Sequence, residues 1–305
     1  MDCKILVLGA GGLGCEVLKN LAMSNVREIH VVDIDTIELT NLNRQFLFRD
    51  SDIGKPKAEV AASYINRWSK RRRARNPDAH EVLVVPHVQD LTLLPAEFFT
   101  QFQFVVSGLD SIGPRRYANE MVVRIARDSK YETCIPLIDG GTEGLKGHVK
   151  TVIPGITACW ECSLDTIPAQ QDTYPLCTIA NNPRNLEHVI SYAVTVSFPE
   201  ANLDDPQDIQ RLFDLSLERA RAFNIDAKEL TIEYLLGVVK HIIPSCSSTN
   251  SIVAAACTSR IVSIYYDLVD FDTMPTFTVF NGSNGFFTHS FQYQRNADCI
   301  VCKGL

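Results

Sequence analysis

The chain has 305 residues, of which 46% are hydrophobic and 21% are charged. These values are typical of soluble globular proteins and exclude a disordered, collagen-like or low-complexity chain. The formal net charge of −7 argues against a surface built mainly to bind nucleic acid or an anionic membrane, so we expect neither as a partner.

The chain begins with a short polar segment that runs directly into a strand-like stretch, residues 5–8. This start lacks the charged, apolar and cleavage regions of a signal peptide. The longest apolar stretch, residues 252–269, is interrupted by Arg260 and Asp267 and is interpreted as a buried helix. We therefore expect a cytoplasmic or nuclear protein. In such a reducing compartment, the 10 cysteines are expected to be buried thiols, metal ligands or nucleophiles rather than disulfides.

The first half of the chain alternates predicted strands with helical patterns. A helix is predicted over residues 55–68, and the basic run that follows it, residues 70–75, is interpreted as a solvated loop. This alternation is typical of βαβ units on a parallel sheet. The predicted strands of this half are residues 4–8, 28–33, 81–88 and 104–107.

The second half departs from this alternation. A strand-like segment, residues 136–139, is followed by a glycine-rich turn and a second strand-like segment, residues 147–153. Residues 167–243 are predicted to be mostly helical and inserted into an α/β body made of residues 1–166 and 244–305. The other predicted elements are helices over 187–196, 207–223, 230–242 and 248–268, and strands over 276–281 and 286–293.

A glycine-rich turn directly follows the first predicted strand and opens a helix. Its glycines are Gly9, Gly11, Gly12 and Gly14. Because they carry no side chains, the backbone N–H groups and the helix dipole can face a phosphate at close range. The next predicted strand ends at Asp33, where a carboxylate can accept hydrogen bonds from a ribose. Taken alone, this pattern fits an NAD enzyme, a nucleoside triphosphate enzyme or a purely structural turn.

The charged residues that follow favour the triphosphate interpretation. A triphosphate carries more charge than a dinucleotide pyrophosphate and benefits from Arg44, Lys57 and a magnesium ion. Asp110 comes just after the fourth predicted strand, where such a sheet places its ligand crevice, and is the expected magnesium ligand. Residues of the same segments that we also expect near the nucleotide are Asp35, Asn41 and Gln45.

Two CxxC pairs are the strongest metal signal in the chain. They are Cys159 with Cys162 and Cys299 with Cys302. Four thiolates suit a tetrahedral zinc ion with no open coordination position, so the zinc would be structural and would attach the C-terminal segment to the body. A thioredoxin-like redox role for one pair would not explain the other.

The candidate nucleophile is Cys177, in a proline-rich segment predicted to be non-helical. The alternative, which local sequence alone favours, is a buried and unreactive thiol. No histidine is placed as an obvious base, and His188 is interpreted as a surface or packing residue on a helix. The cysteines interpreted as small core residues are Cys3, Cys15, Cys134, Cys246 and Cys257.

Together, these motifs resemble the adenylation domain of ubiquitin-activating enzymes, over nearly the whole chain. The resemblance implies a Rossmann-like domain that uses ATP and magnesium to adenylate the C-terminal glycine of a ubiquitin-like protein. The acyl group would then form a thioester on Cys177, with Thr178 behind it, and pass to a conjugating enzyme. The segments most similar to the catalytic subunits of the neddylation (Rub) branch are residues 138–144, 175–180, 243–244 and 248–250.

The resemblance also implies a heterodimer with a non-catalytic subunit of similar fold, and it supports the zinc assignment. Lys150 matches a basic family residue that disfavours ubiquitin, whose tail carries an arginine there; the alternative is a lysine exposed on an edge strand. The chain departs from the family in two respects. It ends soon after the last CxxC pair, where many relatives continue into a ubiquitin-fold domain, and no helix precedes its first predicted strand.

Three alternatives to a ubiquitin-like protein activating enzyme remain. A sulfur-carrier-activating enzyme would share the glycine turn, but the inserted helical unit makes it less expected. An NAD-dependent oxidoreductase would have no use for Arg44 or Lys57. A catalytically silent scaffold of the same fold should lack the metal carboxylate and the nucleophile, whereas Asp110 and Cys177 are both present.

Overall fold

The computed structural model describes residues 1–166, 176–203, 205–239 and 245–303, with the backbone alone at 165, 166 and 176–178. The chain divides into two compact units. The larger unit consists of Met1–Ile167 and Ser245–Leu305, and the smaller unit consists of Pro168–Pro244. The predicted boundaries at 167 and 243–244 lie outside the described residues.

The larger unit is built on one sheet of eight strands. The strands are β1 (Lys4–Leu8), β2 (Glu28–Val32), β3 (Leu83–His87), β4 (Phe104–Ser107), β5 (Leu137–Glu143), β6 (Lys146–Val152), β7 (Phe277–Asn281) and β8 (Phe287–Phe291). Their order in space is β3-β2-β1-β4-β5-β6-β7-β8. In this order, neighbouring strands from β3 to β5 pair in parallel, and neighbouring strands from β5 to β8 pair antiparallel. The predicted α/β fold with a mostly parallel sheet is therefore confirmed.

Helices cover both faces of this sheet. In β1, Ile5 and Val7 pack on one face, while Leu6 and Leu8 pack on the other. This continuous apolar pattern is typical of a parallel strand buried between helices. The first face is covered by α1 (Gly12–Met23), α2 (Lys57–Arg75) and α9 (Ser247–Tyr265), and the second by α3 (Ala96–Phe99) and α4 (Ile112–Asp128).

Two local predictions in this unit are wrong. The basic run at residues 70–75 is the end of α2 rather than a loop. Lysine and arginine are good helix formers, and cations in the last turn interact favourably with the helix dipole. The glycine-rich turn predicted after residue 139 is instead part of β5, which continues through Gly140 and Gly141. A Cβ at Gly140 would lie 2.8 Å from Leu13 of α1, so glycine here lets the sheet and the helix pack closely.

The smaller unit is helical in its described residues. Its helices are α5 (Leu176–Asn181), α6 (Leu186–Tyr192), α7 (Pro206–Ala222) and α8 (Ile232–Val239), with a π-helical turn at Ala193–Ser197. The unit has its own apolar core, and α6 begins at a side-chain cap in which Asn185 Oδ1 accepts the backbone N–H of His188. In the described parts of both units, none of the helices has the length and apolar character that a membrane span requires.

The turn between β1 and α1 requires glycine at two positions. Gly9 has a φ of +96°, in the left-handed region that side chains disfavour. A Cβ at Gly14 would lie 2.0 Å from the carbonyl oxygen of Gly9, far inside contact distance. Glycine at these positions therefore lets α1 begin directly at the carboxyl end of β1.

Replacing Gly14 with Ala should destabilise the larger unit, because the new methyl group would overlap the Gly9 carbonyl and displace α1. Overpacking of this kind costs about 1–3 kcal/mol and occasionally more. We expect a lower midpoint of thermal unfolding, measured by calorimetry. Gly113→Ala is the matched control, since Gly113 lies in the first turn of α4 and its Cβ would meet no atom within 4 Å. Equal midpoints for the two variants would contradict this account.

Candidate functional site

At the switch point of the sheet, two adjacent strands continue to opposite faces, an arrangement that leaves a crevice between the two connections. β1 leads into α1 on one face, and its neighbour β4 leads into α4 on the other. Open α/β sheets bind ligands at this switch point, outside the carboxyl ends of the strands. The two turns touch each other, since a Cβ at Gly9 would lie 3.0 Å from the carbonyl oxygen of Gly108. Asp110 is exposed just beyond, so the glycine turn and this carboxylate border the same crevice.

Asp33 connects the glycine turn to the end of β2. Its Oδ2 accepts the N–H of Ala10 at 2.6 Å, and its Oδ1 accepts the N–H of Asp35 at 2.8 Å. Burial raises the pKa of Asp33 above its ordinary value, while the two N–H donors oppose that shift. The carboxylate thus orders the turn, and its oxygens retain lone pairs for a ligand hydroxyl.

Asp35 forms an ion pair with Lys57, the first residue of α2. The Lys57 Nζ lies 2.8 Å from Asp35 Oδ2, with the lysine side chain buried and the aspartate side chain mostly exposed. The ammonium group has three donors and can also bind a phosphate oxygen. Asn41, also predicted near the nucleotide, is buried and accepts the N–H of Glu38 at 3.0 Å. Its carbonyl oxygen therefore stabilises the loop.

Arg44 and Gln45 lie on the loop between β2 and α2. Arg44 donates through Nη1 to the carbonyl of Thr40 at 2.8 Å and to Asn43 Oδ1 at 3.1 Å, and no carboxylate pairs with it in the described part of the chain. Gln45 is 3% exposed, and its Oε1 has no partner among the described residues. Its Nε2 lies 4.0 Å from the place of a Cβ on Gly11. A buried, incompletely bonded amide beside the glycine turn can accept a hydrogen bond from a polar ligand or from water.

A buried ion pair that the sequence analysis missed lies behind Asp110. Arg115 Nη1 donates to Asp139 Oδ2 at 2.6 Å, and the Asp139 side chain is 1% exposed. Burial alone would raise the pKa of Asp139, but the Arg115 guanidinium holds it at about 2. Local sequence carries no signal for this pair, because the register that places Asp139 of β5 opposite Ser107 at the end of β4 is set by the packing of the sheet.

Asn250 on α9 is a second residue to which the sequence analysis gave no role. It is fully buried, and its Nδ2 would lie 2.4 Å from a Cβ on Gly12. Its Oδ1 accepts the hydroxyl of Thr142 at 2.8 Å, and its Nδ2 donates to Ser245 Oγ at 3.1 Å. One amide therefore attaches α9 to β5 beside the glycine turn.

The four CxxC cysteines come together in the larger unit and are all buried. They are Cys159, Cys162, Cys299 and Cys302, and their Sγ atoms lie within 4.8 Å of one another. The Cys159–Cys299 and Cys162–Cys302 sulfur pairs are 3.5 Å and 3.4 Å apart. A disulfide bond is roughly 2.0 Å long, whereas sulfurs around a tetrahedral zinc are about 3.8 Å apart. The four thiols therefore fit a zinc ion.

Lys150 is not exposed on an edge strand, and that alternative is wrong. β6 lies between β5 and β7, and Lys150 is 1% exposed. Its Nζ donates to the carbonyl of Trp160 at 3.3 Å and to the hydroxyl of Ser163, and it lies 5.0 Å from the centre of the Tyr293 ring. Burial lowers the pKa of Lys150 to about 8. The buried ammonium therefore binds the segment that contains Cys159 and Cys162. This arrangement does not support the predicted contact between Lys150 and a ubiquitin-like tail.

The side chains of Cys177 and Thr178 lie outside the described residues. The backbone at both positions belongs to α5, so the predicted non-helical conformation is wrong. The prediction relied on the nearby prolines, but a proline is compatible with the first turn of a helix and does not exclude one.

The predictions for the other cysteines are partly wrong. Cys134 is exposed, and Cys246 is partly exposed at the N-cap of α9, where its hydrogen bond to the Ser248 side chain lowers its pKa. Apolar neighbours in sequence do not bury a side chain at the end of an element. His188 packs on α6. The cysteines buried as predicted are Cys3, Cys15 and Cys257.

Comparisons with known proteins agree with this architecture. The model of the ThiF family matches residues 1–301. The solved structure of the microcin C7 biosynthetic enzyme MccB in complex with N-formylated MccA superimposes with a TM-score of 0.60 at 21% identity, covering 99% of this chain and 67% of that one. At this identity the likeness supports the fold alone. The fold and the crevice define the class of the molecule, a Rossmann-like member of the ThiF family.

Two curated relatives narrow the assignment. The NEDD8-activating enzyme E1 catalytic subunit of Saccharomyces cerevisiae is 58% identical over 303 residues, covering 99% of this chain and 98% of the relative. The Drosophila melanogaster protein of the same name is 43% identical over 312 residues, covering 98% of this chain and 66% of the relative. This chain belongs to the family of NEDD8-activating enzyme E1 catalytic subunits. The prediction of a ubiquitin-like modifier activating enzyme is confirmed and is favoured over the sulfur-carrier and NAD alternatives.

Replacing Cys302 with Ser should abolish zinc binding and lower thermal stability, because three thiolates and a buried hydroxyl make a poor tetrahedral site. Elemental analysis of the purified protein should find about one zinc per wild-type chain and none in the variant. Cys134→Ser is the matched control, since this thiol is exposed and outside the cluster. Full zinc content in Cys302→Ser would contradict the assignment.

Proposed function

We propose that this chain activates a NEDD8-type ubiquitin-like protein in two steps. It adenylates the C-terminal glycine of that protein with ATP, and it then accepts the acyl group on Cys177 before transfer to a conjugating enzyme. The observation that carries the proposal is the meeting of a glycine turn, two cations and an exposed carboxylate around one switch point. A dinucleotide would use the glycine turn without needing Arg44 or Lys57.

Nucleotide binding is assigned to groups that the fold holds in place. The backbone N–H groups at the amino end of α1 would bind phosphate oxygens, because Gly9, Gly11, Gly12 and Gly14 carry no side chains of their own that would cover these groups. Lys57 would add charge at the phosphates, and Asp33 would accept the ribose hydroxyls. Asp110 would hold magnesium, which neutralises phosphate charge when bound. Its exposure at the end of β4 leaves room for a metal and its waters.

In the first step, a carboxylate oxygen of the ubiquitin-like tail attacks the α-phosphorus of ATP. A new phosphorus–oxygen bond forms, the bond to the bridging oxygen breaks, and pyrophosphate leaves with the electron pair. Arg44 would stabilise the charge that develops as it leaves, because its guanidinium has donors to spare and no carboxylate partner in the described residues.

In the second step, the Cys177 thiolate attacks the carbonyl carbon of the acyl adenylate, and AMP leaves. An acyl adenylate is reactive enough that a thiolate needs little further activation. Thr178, the next residue, is proposed to support the nucleophile. Because the adenylation groups and Cys177 belong to different units, the proposal includes a domain movement between the steps.

Partners follow from the same proposal. The two relatives described above are named as catalytic subunits, which supports a second, non-catalytic subunit of similar fold. The conjugating enzyme and the ubiquitin-like protein complete the set, and the reaction is proposed to take place in the cytoplasm or nucleus. The zinc site would be structural, because four cysteines occupy every tetrahedral position.

Replacing Cys177 with Ala should leave ATP–pyrophosphate exchange intact and abolish the thioester, because adenylation precedes attack by the thiol. The test uses the chain assembled with its partner subunit, supplied with ATP and a NEDD8-type protein. Labelled-pyrophosphate exchange measures the first step, and a reductant-sensitive band on a gel measures the second. Cys246→Ala, a partly exposed thiol of the other unit, should keep both. A thioester in Cys177→Ala would retire the nucleophile assignment.

Replacing Asp110 with Ala should abolish both steps, because the crevice would lose its magnesium carboxylate. Loss of a group that stabilises transition-state charge lowers the exchange rate by about 100-fold or more. Asp128→Ala is the control, since this exposed aspartate is the last residue of α4, whereas Asp110 lies just before the first turn of the same helix. Wild-type exchange in Asp110→Ala would remove the magnesium assignment.

A further inference from the structure

Trp160 occupies the CxxC turn between Cys159 and Cys162, and neither the zinc site nor the adenylation proposal uses it. The residue is 3% exposed. Its backbone N–H donates to Asn119 Oδ1 at 2.8 Å, and its carbonyl accepts from Lys150 Nζ at 3.3 Å. The indole is therefore held by a turn whose shape depends on the two flanking thiols.

The indole N–H reaches the buried carboxylate that lies behind Asp110. Trp160 Nε1 donates at 3.0 Å to Asp139 Oδ2, the same oxygen that accepts from Arg115 Nη1 at 2.6 Å. Asp139 is 1% exposed, so its charge is compensated by these two donors and by His148 Nε2 at 3.8 Å rather than by water. Loss of the indole donor would change the position of the carboxylate and of the guanidinium bound to it.

Arg115 continues this series of hydrogen bonds to the segment that carries Asp110, the proposed magnesium ligand. Its Nη2 donates to the carbonyl of Leu109, directly before Asp110, and to the carbonyl of Gly140 at 3.2 Å. One guanidinium thus holds a buried carboxylate on one side and the backbone next to Asp110 on the other. Continuous hydrogen bonds connect the CxxC turn with this backbone.

We propose that Trp160, Asp139 and Arg115 are positioning residues that couple the cysteine cluster to the geometry of Asp110. The inference rests on the proposed function, because Asp110 matters to adenylation only if it binds magnesium. When the four thiolates hold zinc, the CxxC turn fixes the indole and, through it, the Asp139–Arg115 pair. When they do not, Asp110 is positioned less well, and magnesium binds more weakly at the crevice.

Trp160→Phe tests the path, because phenylalanine keeps an aromatic ring and removes only the N–H donor and part of the ring. In the enzyme assembled with its partner subunit, the magnesium concentration for half-maximal ATP–pyrophosphate exchange should rise about tenfold. Saturating magnesium should restore the wild-type rate, and the zinc content should stay unchanged. A purely structural role would lower zinc content, or lower the exchange rate at every magnesium concentration, and either result would overturn the inference.

Trp68→Phe is the matched control, since Trp68 is the other tryptophan of the chain and lies on α2, away from this path. Arg115→Lys is the second variant, which leaves the CxxC turn untouched and decides the question if Trp160→Phe does not fold. It should also raise the magnesium requirement at full zinc content. Wild-type magnesium dependence in Arg115→Lys would overturn the inference. Absence of exchange in the wild type would instead overturn the proposed function.

Discussion

At position 14, the backbone of α1 passes so close to the Gly9 carbonyl that a Cβ would lie 2.0 Å from the oxygen. This contact places the amino end of α1, with its unpaired N–H groups, at the carboxyl edge of the sheet. Asp33 then orders the turn through the N–H of Ala10, and Asp35 holds Lys57 nearby. The position of the positive end of α1 therefore depends on the absence of a methyl group at residue 14.

Much of this arrangement could be predicted from the sequence, because the signals are local. A glycine turn after a buried strand, and charged residues after the following strands, are brought to one edge by the geometry of a parallel sheet. The two CxxC pairs likewise carry their chemistry in their spacing. These features predict both the crevice and the metal cluster without knowledge of the packing.

The remaining features depend on packing between distant segments, which local sequence does not show. Gly140 looks like a turn residue, but it lies within β5, and glycine is required there because Leu13 and Cys257 come within 3.0 Å of the place of its Cβ. From the sequence, Lys150 looks like a lysine exposed on an edge strand. In the structure, β7 pairs with β6, and the Lys150 ammonium donates to the carbonyl of Trp160. The Arg115–Asp139 pair is equally invisible, since the two residues are 24 positions apart.

The cysteine cluster joins the last residues of the chain to the body of the larger unit. Cys299 and Cys302 meet a turn far back in the sequence, and Arg127 of α4 reinforces the contact by donating to the carbonyl of Val301 at 2.6 Å. The same turn carries Trp160, so the C-terminal segment, the cysteine cluster and the back of the switch-point crevice form one connected structure.

The central claim is that the switch-point crevice binds ATP with magnesium. Calorimetric titration of the assembled enzyme, first with ATP and magnesium and then with NAD⁺, tests it most directly. The account predicts saturable ATP binding that weakens when magnesium is withdrawn, and no binding of NAD⁺. Saturable binding of NAD⁺ together with no heat of ATP binding would contradict it.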